Sequence, residues 1–201
     1  MLDDIFAEYK VRSITDIYRL KARIIERLMD ANITMLRSRV ETIEELFDRL
    51  NFYDYGEYYA DVETSLSLLG KLICFKQDLF FKKGLFAIMM TGRMIPELSV
   101  LYPNYAKSIA SLPIPADYQI PKMLRHYGVM SFSSNLESIV DGGEFVQSNS
   151  EYELNIRAAT VKACELIAKQ NDISADEVDA WLFMHRQESR VRHHLCVTEF
   201  Y

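Results

Sequence analysis

The chain has 201 residues, 49% of them hydrophobic and 26% charged, with a formal net charge of −6 at pH 7. That composition excludes a disordered chain and is enough for one sizeable core. The acidic balance argues against a broad phosphate-tracking surface, so no direct nucleic-acid binding is expected. With only 7 Gly and 5 Pro, tight turns are few and helices are long. Cys74, Cys164 and Cys196 form no C-x-x-C pair and read as free thiols in a reducing compartment. Met1-Leu2-Asp3-Asp4 is acidic where a secretory leader is basic, and the apolar run Leu85 to Met90 is too short to span a membrane. The expected location is the cytoplasm, with no membrane partner.

Ser13-Ile14-Thr15-Asp16 signals a helix start, and Ile17, Leu20, Ile24, Ile25 and Leu28 follow at helical spacing. Thr42-Ile43-Glu44-Glu45 opens a short helix ending near Leu50. Asn51 to Tyr59 is an aromatic, turn-prone connector, suited either to stacking on a base or to packing a loop on the core. Asp61 to Phe75 reads as one helix and Asp78 to Met90 as another. The second carries Lys82 and Lys83, which point about 100° apart, so that one either faces inward, where it needs an anionic partner, or snorkels to the surface, the commoner fate. One or two short helices broken at Pro103 fill residues 96–111.

Pro113 and Pro115 hold the next loop extended. A helix then starts near Asp117, accommodates Pro121 in its first turn, and ends before Gly128. Asp117 is thus either an N-cap, a catalytic carboxylate on a stiff turn, or both. Ser134-Asn-Leu-Glu137, Ser150-Glu-Tyr-Glu153 and Ser174-Ala-Asp-Glu177 each have the form of a capping box. Leu154, Ala158, Val161 and Glu165 share a face of the second of these helices; Val178, Trp181, Leu182 and His185 share a face of the third. No alternating strand pattern and no internal repeat occurs. The expected fold is all-α, a single helical domain over residues 1–201.

No generic catalytic motif is present: no G-x-G-x-x-G, no P-loop, no H-E-x-x-H and no G-x-S-x-G. His126, His185, His193 and His194 lack a metal-ligand spacing, so no metal is expected. The polar candidates are Lys82, Asp117, Arg157, Asp179 and His194, each with a surface or capping alternative.

Ala116-Asp117-Tyr118-Gln119-Ile120-Pro121-Lys122-Met123-Leu124 resembles the A-D-Y-[RK]-[VI]-P-Q-x-L motif of the queuosine salvage proteins, a family of queuosine 5′-phosphate N-glycosylases. The resemblance continues through His126 to Ser133, then through Tyr152-Glu153-Leu154-Asn155-Ile156-Arg157 to Ile167, and through Val178-Asp179-Ala180-Trp181-Leu182-Phe183. The last residues, His194 to Tyr201, are similar to the family's terminal H-R-x-R-x-x-Y-Y, and Phe80 to Leu85 is similar to its F-Y-K-R-A-Q. Residues 61–201 therefore look like the family's catalytic core, and residues 1–60 like divergent N-terminal helices of a short member. Gln119 and Leu195 stand where the family carries basic residues. Leu85, Asn155, Met90 and Phe183 replace a Gln, a Glu, an Asp and a Trp.

The resemblance implies a fold similar to helical DNA glycosylases. It implies hydrolysis of queuosine 5′-monophosphate to queuine and ribose 5-phosphate, for queuine salvage toward tRNA modification, with no cofactor. The alternative is a non-catalytic or altered-specificity binder of a modified nucleotide or base. Asp117 is the implied carboxylate at the anomeric carbon, and Lys82 orients it or holds the substrate. Tyr118 and Trp181 are candidates for stacking on the base. Arg157, His194 and Tyr201 are candidates for the phosphate or for structural pairing, and Asp179 for reading a base edge or pairing with Arg157. A homo-oligomer is left open.

Overall fold

The computed structural model describes residues 14–50, 55–95 and 97–200. The expected start signal at Ser13, the first half of the aromatic connector (residues 51–54), Pro96 and Tyr201 lie outside them. Among the described residues the architecture is all-α. No strand forms among them, and Phe145 meets Leu195 in an isolated parallel bridge.

Helices α1 (Ile14–Asp30) and α2 (Leu36–Leu50) pack on one another through Leu20, Ile24, Leu28, Ile43 and Phe47. Helix α2 starts at Leu36, six residues before the expected Thr42. Its first turns carry an exposed Arg37–Glu41 pair at 2.8 Å, an i,i+4 contact, and Val40, Ile43 and Phe47 follow at helical spacing. A short α3 (Tyr55–Tyr58) follows. The Tyr59 ring lies 4.9 Å from Tyr58 and 5.3 Å from Tyr105, so this part of the aromatic connector packs on the core.

The single helix expected over Asp61 to Phe75 is two. Helix α4 (Val62–Leu69) is capped by Asp61, which accepts from the Thr64 N–H at 2.7 Å, and ends at Gly70. Helix α5 (Ile73–Lys76) is begun afresh by Glu45 of α2, whose carboxylate accepts from the Ile73 and Cys74 N–H groups at 2.7 and 2.9 Å. A side chain 28 residues away caps the new helix, which local pattern cannot anticipate. Helix α6 (Lys82–Met94) begins four residues after the expected Asp78: its N-cap, Phe81, is in the left-handed region, and the Asp78 carboxylate accepts from the Phe80 and Lys82 N–H groups of the turn that leads in. Helices α7 (Leu98–Leu101) and α8 (Pro103–Ile109) break at Pro103 as expected. Leu68, Leu72, Phe75, Leu85, Ile88, Met89 and Tyr105 make the core of this half.

The proline loop leads into α9 (Gln119–His126), α10 (Ser134–Gly142), α11 (Glu151–Asn171) and α12 (Ala175–Met184). Ile114, Ile120, Met123 and Leu124 pack against Cys164, Ala168, Val178 and Leu182. Of the three S-x-x-E patterns, only Ser174/Glu177 closes as a full capping box. Ser150 caps α11, but the Glu153 carboxylate turns to the Asn149 N–H and to Arg157. At α10 the cap is Ser133, one residue early, and Glu137 pairs with Arg125 at 3.5 Å.

The inward face of α11 is also rotated from the expected one. Glu153, Ile156, Arg157, Thr160, Cys164 and Ala168 are buried, whereas Ala158 and Glu165 are exposed. Apolar periodicity misplaces this face because two of its buried side chains, Glu153 and Arg157, are charged. On α12, Val178 and Leu182 face inward as expected, but Trp181 is 51% exposed.

Candidate active site

Three segments enclose a cavity of about 270 Å³. Helix α6 contributes Lys82, Phe86, Met90 and Arg93, which recur at helical spacing and so share one face. The proline loop contributes Pro115 and Asp117, and α12 contributes Asp179, Ala180, Phe183 and Met184.

Asp117 is delivered by a buried loop: Pro115 and Ala116 are shielded from solvent, and the Ala116 N–H donates to the Ile114 carbonyl at 2.9 Å. Its Oδ1 accepts from the Gln119 N–H at 2.7 Å and the Ile120 N–H at 3.3 Å. Asp117 thus sits one residue ahead of the N-cap, Tyr118, and still satisfies two N–H groups of the first turn of α9, which orient the carboxylate. Among the described residues nothing donates to Oδ2.

Asp179 is largely buried, and its carboxyl is pushed up to about 7, first by that burial and then by the negative charges of Asp117 and Asp176; Arg93 and Lys82 pull the other way. Lys82 titrates below the usual lysine range because of burial, against the pull of Asp117, Asp179 and Asp78. Its Nζ lies 4.8 Å from the centre of the Phe86 ring. The cavity thus joins one ammonium and two carboxyls to an apolar wall. A carboxyl whose proton affinity is raised by burial, as at Asp179, is suited to an acid role.

A second charged cluster lies behind the first. Arg157 meets Asp78 through two parallel hydrogen bonds, Nη1 to Oδ1 at 2.8 Å and Nη2 to Oδ2 at 2.9 Å, and reaches Glu153 at 3.4 Å. Its guanidinium also stacks on Phe80, 4.5 Å from the ring centre. All three charged side chains are about 1% exposed or less. Arg157 is thus paired with Asp78 and Glu153.

The structure brings Lys82, Asp117 and Asp179 together. It keeps four other candidates out of the cavity lining. Arg157 is held in the buried cluster. Tyr118 lies against His193, ring centres 4.8 Å apart. Trp181 stacks on His185 at 4.1 Å on an exposed face of α12. His194 is buried, and burial pulls its imidazole down to about 4, helped by the neighbouring charges of His193 and Arg157. Tyr201 lies outside the described residues. Phe86, Met90, Arg93 and Met184 line the cavity without having been singled out for it. The signal for the first three is their spacing of 4, 8 and 11 residues after Lys82.

Among the described residues no group of three or more His, Cys, Asp or Glu side chains is placed to hold a metal ion. Nor is any helix there long and apolar enough to cross a membrane. A search of curated proteins gave no significant match. A family model described as queuosine salvage protein matches residues 101–201, a span that includes Asp117, Asp179 and the helices that position them. The chain belongs to the queuosine salvage protein family.

Proposed function

We propose that this protein hydrolyses the N-glycosidic bond of queuosine 5′-monophosphate, releasing queuine and ribose 5-phosphate. The observation that carries the reading is the convergence of Lys82, Asp117 and Asp179, from three separate segments, on one cavity. Cleavage of such a bond passes through an oxocarbenium-like transition state. Asp117, with Oδ1 held by two backbone N–H groups, offers its second oxygen to the developing positive charge at C1′ and to the proton of the attacking water. The C1′–N bond breaks with its electron pair going to the base, the water oxygen bonds to C1′, and the base nitrogen takes a proton.

A deazapurine is a poor leaving group, so that proton matters. Asp179, pushed up to about 7, is the group in the cavity best suited to donate it. Lys82 offsets the mutual repulsion of the two carboxyls and offers a charged hydrogen bond to the sugar. Phe86 and Phe183, which line the cavity, take the stacking role that Tyr118 and Trp181 do not fill. At about 270 Å³ the cavity lies just below the range typical of small-molecule sites, so it encloses a base-sized body and leaves the rest of a nucleotide at its mouth.

The small, largely apolar chamber also supports a second reading, a binder or hydrolase of a different modified nucleotide. Incubating the protein with queuosine 5′-monophosphate, and separately with queuosine, decides between them. Queuine detected by mass spectrometry supports the first reading. Binding without queuine supports the second.

A further inference from the structure

Arg93 lies on the same face of α6 as Lys82, three turns further along. Its side chain is 41% exposed. One nitrogen, Nη2, is committed to Asp176 at the start of α12, donating to its carboxylate and, at 3.5 Å, to its carbonyl. Among the described residues nothing accepts from Nε or Nη1. A guanidinium carries five N–H donors in a rigid fork suited to phosphate and carboxylate oxygens. Arg93 is therefore anchored along one edge and open along the other. Its charge also reaches into the cavity, since it opposes the upward shift at Asp179. The other cation of the lining, Lys82, already faces Asp117 and Asp179. The positive charge available to an incoming anion is thus at the Arg93 end.

We propose that Arg93 is the anion-reading residue of this cavity. Its open edge takes the phosphomonoester of the substrate, with the sugar at Asp117 and the base between Phe86 and Phe183. Asp176 is a positioning residue that sets the angle of the guanidinium. The inference rests on the reading of the cavity as a nucleotide site. It accounts for a chamber too small to enclose a nucleotide, because the phosphate sits at the mouth and needs a cation there.

Two measurements test it. The first is the ratio of kcat/KM for queuosine 5′-monophosphate to that for queuosine, in the wild type, in Arg93→Gln, and in Arg37→Gln as an exposed control on α2. The ratio falls tenfold or more in Arg93→Gln and holds in the control. An unchanged ratio, or equal loss on both substrates, overturns the assignment. The second is calorimetric titration with ribose 5-phosphate, which needs no turnover. The wild type binds it, and Arg93→Gln binds at least tenfold more weakly. If the wild type cleaves neither nucleoside nor nucleotide, the hydrolase reading fails by itself and the titration decides on Arg93. No binding by the wild type, or equal binding by both, then overturns the proposal.

Discussion

Two charged clusters flank the start of α6, and they are built on opposite rules. In the Asp78–Arg157–Glu153 cluster each carboxylate meets the guanidinium and also accepts from backbone N–H groups, and water is excluded. In the Lys82–Asp117–Asp179 cluster acidic and basic side chains face a cavity; among the described residues one carboxylate oxygen of Asp117 accepts no hydrogen bond, and Asp179 is shifted up by burial with only the nearby charges of Arg93 and Lys82 to oppose it. A closed, solvent-shielded cluster leaves no room for a ligand; it fixes α11 against the turn that leads into α6. An open one carries free hydrogen-bonding capacity and perturbed proton affinities, which is where chemistry is expected. The contrast separates scaffold from site among residues that look alike in sequence.

The largest effect sharpens the comparison on the open side. Asp117→Asn keeps an oxygen to accept from the Gln119 and Ile120 N–H groups, so the turn and α9 survive, but the negative charge is gone. Turnover falls by ~10³-fold or more with the thermal midpoint little changed, as read by queuine release and calorimetry. Arg157→Met breaks the closed side, leaving two buried carboxylates without their cation. It costs about 3–5 kcal/mol in a denaturant titration. Lys82→Met, of similar chemistry but in the open cluster, changes stability by less than about 1 kcal/mol while lowering turnover. Comparable losses of stability from the two would erase the distinction.

Proton linkage gives a smaller, directional effect. Asp179 has a folded pKa above its unfolded value, so its contribution to stability is complete below the ordinary aspartate range and is lost as pH rises to about 7. His194, pulled down to about 4, acts oppositely: its contribution is present above the ordinary histidine value near 6.5 and is lost as pH falls toward 4. The two oppose one another across this window. Asp179→Asn therefore steepens the loss of stability on acidification, and His194→Gln unmasks a loss on going from pH 4 to 7. Denaturant titrations at pH 4, 5.5 and 7 check both signs. The smallest effect concerns a cap: Ser133→Ala costs about 1 kcal/mol at the start of α10, and Ser134→Ala stays within about 0.5 kcal/mol.

Much of the fold was legible where structure is local. The proline loop, the start of α9 beside Asp117, the break at Pro103 and the Ser174 box all follow from residues within a few positions of each other. What was not legible depends on partners far along the chain. Glu45 begins α5 from 28 residues away, and Arg157 closes on Asp78 from 79 residues away. That pairing turns a charged stripe of α11 into its buried face, against the apolar periodicity. The site shows the same division. Lys82, Asp117 and Asp179 are visible as chemistry in the sequence, but their convergence is tertiary. So is the placement of Phe86 and Phe183 along the cavity, with Tyr118 and Trp181 outside its lining, because aromatic residues of either kind suit a core, a surface stack or a ligand wall equally well.

The most direct test of the distinction between the two clusters is single-turnover cleavage of queuosine 5′-monophosphate across pH 5–9 by the wild type and by Asp117→Asn. The wild type releases queuine, with a rate that declines as pH rises through about 7 and Asp179 loses its proton; Asp117→Asn, folded, releases none above background. Queuine formed by Asp117→Asn at the wild-type rate would place the chemistry outside the Lys82–Asp117–Asp179 cavity.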